Sequence, residues 1–254
     1  MARDFNKECQ NIVNQNTNVL YNYEFDNKMK HKILQNLEEY IKENNVNIKN
    51  VLEVGCFEGS MTKLLLKYEN LDIIEPSIEC INNTIETLKK CTNEENYTFI
   101  NTLLQNYETN KKYDLIIISH TLEHIENQIE ALKKARQLLS KKGLLYVIVP
   151  NGTSISRQIA CKLGVVEYPC CVTESERIHG HYITYDLYTL ERHIRSANLN
   201  IYKKGGLVLK IFGNKQYDKA FEHNIVDDTF IDACYELGKT RPLDCASLYV
   251  ICSQ

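Results

Sequence analysis

Residues 51–60 read VLEVGCFEGS, and this stretch decides the fold. Val51 to Val54 is a short apolar run of the kind that forms a buried strand, with an acidic residue, Glu53, near its end. Gly55 and Gly59 bracket a loop, and an amphipathic stretch follows. A second apolar run, Leu71 to Ile74, ends in Glu75, roughly 20 residues beyond the first acid. Strand, glycine loop, helix and later carboxylate together suit a nucleotide-type ligand. Glycines let the backbone approach, and the second acid grips ribose hydroxyls.

Working outward, strands and helices alternate. Asp26 can cap a helix to about Glu43, with Met29, Ile33, Leu34, Leu37, Tyr40 and Ile41 on one face. Residues 59–68 form the helix after the first strand, and residues 77–91 the helix after the second. Tyr97–Ile100 makes a third strand. Leu115–Ser119 and Leu144–Val149 are unbroken apolar runs, as strands covered on both faces should be. A helix over about 126–139 lies between these two, with Gly143 closing it. Five strands alternating with helices predict an α/β fold with a doubly wound, mostly parallel sheet. We place an N-terminal segment and cap helix at 1–48 and the main domain at 49–254. A lid inserted after strand five covers about 151–183, with a short helix near 154–162 and then a polar loop. Residues 185–197 read as helix. Strands are expected near 207–212 and 248–252, around an insertion at about 213–245 with one helix.

Composition bounds the function. The 254 residues supply 43% hydrophobic and 25% charged side chains, an ordinary single-core balance. A formal net charge of −3 without a Lys/Arg stripe argues against nucleic acid. No apolar run reaches a membrane-spanning length, and residues 1–20 are too polar for a signal peptide, so a cytoplasmic location is the expectation. The ten cysteines contain no C-x-x-C pair, which argues for buried thiols and against structural zinc.

The loop Glu53 to Gly59 departs from the G-x-G-x-x-G spacing of dinucleotide enzymes. It resembles the E-x-G-x-G-x-G loop of class I S-adenosylmethionine-dependent methyltransferases of the small-molecule type, with Phe57 where the middle glycine usually stands. Further segments share the likeness: Glu75-Pro76; Thr102 to Gln105; Asp114 to Ile125 (DLIIISHTLEHI); Lys142-Gly143; Val149 to Asn151; and His181 to Glu191 (HYITYDLYTLE). The resemblance implies S-adenosylmethionine as cofactor and S-adenosylhomocysteine as product. It assigns cofactor contacts to Glu53, Gly55, Phe57, Gly59, Glu75, Pro76, Leu103, Leu104 and Ser119, with Tyr21 and Tyr23 closing over the ligand. Read as plain structure, the glycines are turn residues, Glu75 a helix N-terminal anion beside Ser77, and the leucines and tyrosines packing groups.

Methyl transfer to oxygen or nitrogen needs a positioned nucleophile and a base, and histidine suits the latter near neutral pH. His120 follows the fourth strand, where open α/β sheets place their ligand crevice. His181 carries the family match on the excursion after strand five. These two are the catalytic candidates. His124, Asn151, Arg177 and His179 are the candidate substrate walls, with Arg177 offering a fork for an anion. His124 has a purely structural alternative within its turn. No metal is expected, since the histidine spacing matches no ligand motif. The overall expectation is methylation of a small metabolite, with anionic and sugar-linked compounds among the options. A catalytically silent cofactor-binding module and a protein methyltransferase are the alternatives.

Overall fold

In the computed structural model, which describes residues 4–7, 24–91 and 96–254, one seven-stranded sheet organises the chain. The strands are β1 (Asn50–Val54), β2 (Asn70–Ile74), β3 (Tyr97–Ile100), β4 (Tyr113–Ser119), β5 (Leu139–Pro150), β6 (Asn200–Leu209) and β7 (Cys245–Ser253). Their spatial order is β3-β2-β1-β4-β5-β7-β6, with β7 antiparallel to both neighbours and the other pairings parallel. The helices are α1 (Glu24–Glu43), α2 (Ser60–Leu65), α3 (Ile78–Lys89), α4 (Gln128–Leu138), α5 (Ile155–Lys162), α6 (Glu174–Ile178), α7 (Leu187–Ser196), α8 (Asn214–Glu222) and α9 (Asp228–Thr240).

Strand alternation divides the core into two layers. Val51, Ile73, Ile117, Tyr146 and Ile251 meet α1, α2, α8 and α9 through residues such as Ile33, Leu37, Leu65, Tyr217 and Tyr235. Leu52, Ile116, Ile118, Val147 and Val250 meet α4 and α7 through Leu132, Ala135, Leu190 and Ile194. Strand order reverses between β1 and β4, so a crevice opens outside their carboxyl ends. The loops after β1, β2 and β4 converge there.

Several boundaries differ from expectation. Gly143 lies inside β5, which starts at Leu139 because Leu139 already pairs with Tyr113. A Cβ on Gly143 would come within 2.5 Å of the Tyr113 carbonyl, so close strand approach explains this glycine better than a helix end. Strand β6 spans 200–209 rather than 207–212; it is the edge strand, and its less buried first half tolerates Lys203 and Lys204. The insertion carries two helices, α8 and α9. The segment after β5 holds a second short helix, α6, closed by a Thr173–Glu176 capping box. No helix among the described residues is long and apolar enough to cross a membrane, and the described cysteines are all free thiols.

Glu53 exposes a cost in this core. It shares a strand face with Val51, toward α1, and both carboxylate oxygens are buried without a hydrogen-bond partner among the described residues. Burial pushes its carboxyl up to about 8, against an ordinary 4.5. The folded chain therefore keeps a proton that the unfolded chain releases near pH 4.5, and stability falls as pH rises from there through about 8. Glu123 behaves alike, its carboxyl also raised to about 8 by burial. Glu53→Gln, which mimics the protonated form, is expected to remove about half of that loss. Thermal melts of both chains between pH 5 and pH 9, on the order of one unit to either side of this range, read it out; parallel curves would refute the assignment.

Candidate active site

A cavity of about 1540 Å³ fills the crevice at the ends of β1 and β4. At one end it is lined by Gly55, Phe57, Glu75, Pro76, Leu103 and Leu104. Gly55 and Gly59 take φ of 81° and 79°, and Phe57 takes 48°, so all three follow a left-handed path. Phenylalanine at the middle position therefore keeps the loop's backbone conformation, at a cost of about 1–2 kcal/mol for an L-residue. Gly55 also abuts Thr121, where a Cβ would lie 2.5 Å from Oγ1. A Cβ at Gly59 would lie 2.7 Å from Thr84 Cγ2, so this glycine shapes the loop from behind without lining the cavity.

Glu75 ties two loops together. Its Oε2 accepts from the Cys56 amide at 3.1 Å and its Oε1 from the Ser77 amide at 2.9 Å. It is buried, and desolvation raises its pKa in spite of these backbone donors. Each carboxylate oxygen retains acceptor capacity for a ligand hydroxyl. Ser77 caps α3 and donates its hydroxyl to Asn6 Oδ1 at 3.0 Å, which holds the 4–7 segment here and puts Phe5 on the cavity wall. Tyr21 and Tyr23 lie outside the described residues. Phe5 had little sequence signal, being one aromatic in a polar, Asn-rich stretch.

The other end gathers Ser119, His120, Glu123, His124, His179 and His181 around the tip of β4, with Lys30 and Lys210 opposite. His120 has φ 51°, turning its ring into the crevice as the chain leaves the strand. Its Nε2 lies 2.9 Å from Ser247 Oγ and its Nδ1 3.4 Å from Lys30 Nζ. An ammonium only donates, so Nδ1 accepts and Nε2 carries the proton toward Ser247. Burial, then the Lys30 charge, holds His120 well below its ordinary pKa, and the ring is neutral.

His181 reaches the site through backbone bonds. Gly180, at φ 82°, reverses the chain after α6; the Tyr182 amide then donates to the Glu123 carbonyl at 2.8 Å. This sets His181 edge-on to His124, ring centroids 4.5 Å apart. Burial lowers His181 to about 4. The excursion itself is clamped by Arg157, whose guanidinium bonds Glu176 and the Pro169 and Cys171 carbonyls.

Besides Gly59, three expected site residues stand elsewhere. Glu53 lies under the loop, facing α1, because strand alternation points it away from the crevice. Asn151 is buried and donates its amide to the Leu243 and Cys245 carbonyls, both at 2.8 Å, so its polar atoms fasten the chain after β5. Arg177 is exposed on α6, with Nε on the Val172 carbonyl at 3.3 Å; the helix turns it outward. The lysines that line the cavity are instead Lys30, Lys63, Lys90 and Lys210; Lys30 comes from α1, and Lys210 follows β6 directly. No sequence pattern singles out Lys30 or Lys210. Burial lowers the pKa of each, with Asp26 opposing the shift.

The family model for a methyltransferase domain matches residues 23–204. Over 106 residues the chain is 31% identical to malonyl-[acyl-carrier protein] O-methyltransferase 2 of Ilyobacter polytropus, covering 41% of this chain and 40% of that protein. A 104-residue stretch is 28% identical to (S)-coclaurine N-methyltransferase of Thalictrum flavum subsp. glaucum, covering 38% and 27%. The matched stretches thus span less than half of these curated relatives. Among solved structures, the N-methyltransferase NodS from Bradyrhizobium japonicum WM9 in complex with S-adenosylhomocysteine superposes with a TM-score of 0.59 at 14% identity, over 97% of this chain and 95% of that one. The chain belongs to the methyltransferase domain family, enzymes of the class I fold whose methyl donor is S-adenosylmethionine.

Proposed function

We propose that this protein transfers the methyl group of S-adenosylmethionine to an O–H or N–H group of a small, anionic acceptor. The cofactor takes the end built by Gly55, Phe57 and Glu75, and the acceptor takes the end built by His120, His181 and Lys30. The observation that carries this reading is that both ends belong to one cavity of about 1540 Å³. A pocket for one drug-sized ligand measures roughly 300–1,000 Å³, so the space suits a cofactor and a small acceptor together.

His120 is the proposed proton acceptor. Its neutral ring keeps an acceptor nitrogen, Nδ1, which becomes available as a base when Lys30 turns from it to the anionic group of the acceptor, while the contact with Ser247 holds the ring's orientation. Lys30 and Lys210 supply the positive charge for an anionic group, the role that sequence reasoning gave to Arg177. Leu103, Leu104 and Pro76 offer flat apolar wall to the adenine side. The silent-module alternative leaned on Phe57; the left-handed backbone at that position keeps the loop's path and supports the enzyme reading.

Release of S-adenosylhomocysteine, measured over a panel of carboxylates, phosphorylated metabolites, sugars and amines, tests the reading. A malonyl thioester belongs in the panel because the name of one relative carries that group. Turnover is expected with at least one anionic acceptor. Lys30→Met should raise KM for that acceptor about tenfold, the worth of one hydrogen bond to a charged group, with S-adenosylmethionine affinity unchanged. Tight cofactor binding without turnover on any acceptor would favour a silent module. Absence of cofactor binding would overturn the proposal.

A further inference from the structure

Glu123, His124 and His181 offer one ligand atom each, and these atoms all lie within 4.8 Å of one another. Around an ion held at about 2.1 Å, neighbouring tetrahedral ligands sit about 3.4 Å apart, so movements on the order of 1 Å would close this set on a metal. Two imidazoles and a carboxylate are a donor set for a divalent transition ion. Glu123 adds an independent sign. It is 1% exposed, and its Oε2 has no hydrogen-bond partner among the described residues. A buried carboxyl oxygen left without a partner is costly, and a divalent cation would satisfy it.

The backbone is arranged to bring the three together. Glu123 and His124 sit in a 3-10 turn directly after β4, and His181 arrives from a segment nearly sixty residues later. Two bonds hold that arrival: the His181 amide to the Glu176 carbonyl at 2.9 Å, and the Tyr182 amide to the Glu123 carbonyl at 2.8 Å. All three residues line the cavity, so coordination positions left by three protein ligands face the acceptor end.

We propose that Glu123, His124 and His181 form a divalent transition-metal site that holds and activates an oxygen acceptor. The site's existence stands on these residues alone; its role rests on the methyl-transfer reading above. Three protein ligands plus an open position is the pattern of catalytic centres rather than of closed structural ones. The ion takes the acceptor oxygen, lowers the pKa of its O–H, and orients a lone pair toward the methyl carbon. The proton passes to His120. The oxygen then forms a C–O bond as the methyl C–S bond breaks, and that bond's electron pair returns to sulfur, giving S-adenosylhomocysteine and the methylated acceptor. His181 acts here as a ligand, which leaves His120 as the proton acceptor.

The test uses tag-free full chain stripped with a chelator and titrated calorimetrically with ZnCl2 and, separately, MnCl2. One equivalent per chain is expected, weakened about 100-fold or more in Glu123→Gln and in His181→Asn. Affinity for S-adenosylmethionine, titrated in parallel, should stay within about twofold in both variants, which also reports that they fold. Bound Co2+ provides a second readout on the wild-type chain, since visible d–d bands report low-symmetry imidazole and carboxylate ligation. No saturable binding, or equal binding by the variants, overturns the metal site. Cofactor binding without metal binding sinks this inference alone; metal binding without cofactor binding leaves the site standing and sinks the methyl-transfer reading.

Discussion

Glu75→Ala is expected to raise the dissociation constant for S-adenosylmethionine by about 100-fold, with the chain still folded. The reason lies in what the carboxylate does twice. It accepts the Cys56 and Ser77 amides at 3.1 and 2.9 Å, which fixes the glycine loop against the end of β2. It also lines the cavity, with acceptor capacity left for ribose hydroxyls. Hydrogen bonds to a charged group are worth about 1.5–3 kcal/mol each, so two lost ligand bonds give roughly 3 kcal/mol or more, and a hundredfold is about 2.7. Glu75→Gln keeps an acceptor oxygen but loses the charge, and about tenfold weakening is expected. Calorimetric titration of the three chains measures this, with circular dichroism showing that the loop change has not unfolded the sheet. Unchanged affinity in Glu75→Ala would place the cofactor elsewhere.

The second large effect is steric. Gly55→Val is expected to abolish measurable cofactor binding and to destabilise the chain by about 2–5 kcal/mol. Two causes add. At φ 81° a side chain is strained by about 1–2 kcal/mol. A Cβ there would also lie 2.5 Å from Thr121 Oγ1 and 2.7 Å from its Cγ2, an overpacking cost of about 1–3 kcal/mol. The causes separate by experiment. In a Thr121→Gly background, Gly55→Ala meets no side chain at that position, and only the conformational part should remain. Denaturant melts of the single and double variants give the split. An equal loss in both backgrounds would mean that Thr121 moves aside and the clash costs nothing.

The glycine loop and Glu75 were legible because their chemistry is local. A loop that must pass under a ligand needs left-handed residues at fixed offsets from a strand end, and the acid after the next strand is placed by the parallel register, Val54 against Ile74. Phe57 shows the limit of that logic. One-letter reading flags a missing glycine, yet the backbone holds φ 48° regardless, since the flanking Gly55 and Gly59 and the surrounding packing determine the path. His120, His124, His179 and His181 were likewise legible as a group, because strand four ends at His120 and the segment carrying His181 has its own motif.

What stayed hidden depends on which way a side chain points. Arg177 read as a loop cation facing substrate, but a five-residue helix capped by Thr173 and Glu176 turns it outward. Asn151 read as a wall and proved to be a fastener for residues nearly a hundred positions away. No local pattern singled out Lys30 or Lys210, and the packing of α1 and of the chain after β6 against the crevice brings both to the cavity wall.

The sequence by itself determined the alternation of strands and helices, the glycine loop and its partner acid, and the family to which the chain belongs. Those features are written in contiguous residues, through hydrophobic period and glycine placement. Only the tertiary structure decided which charged groups share the cavity, that Glu53 turns away from it, and that Glu123 meets His124 and His181. Such encounters join residues far apart in the chain, and they are governed by strand order and chain reversal, which no local pattern encodes.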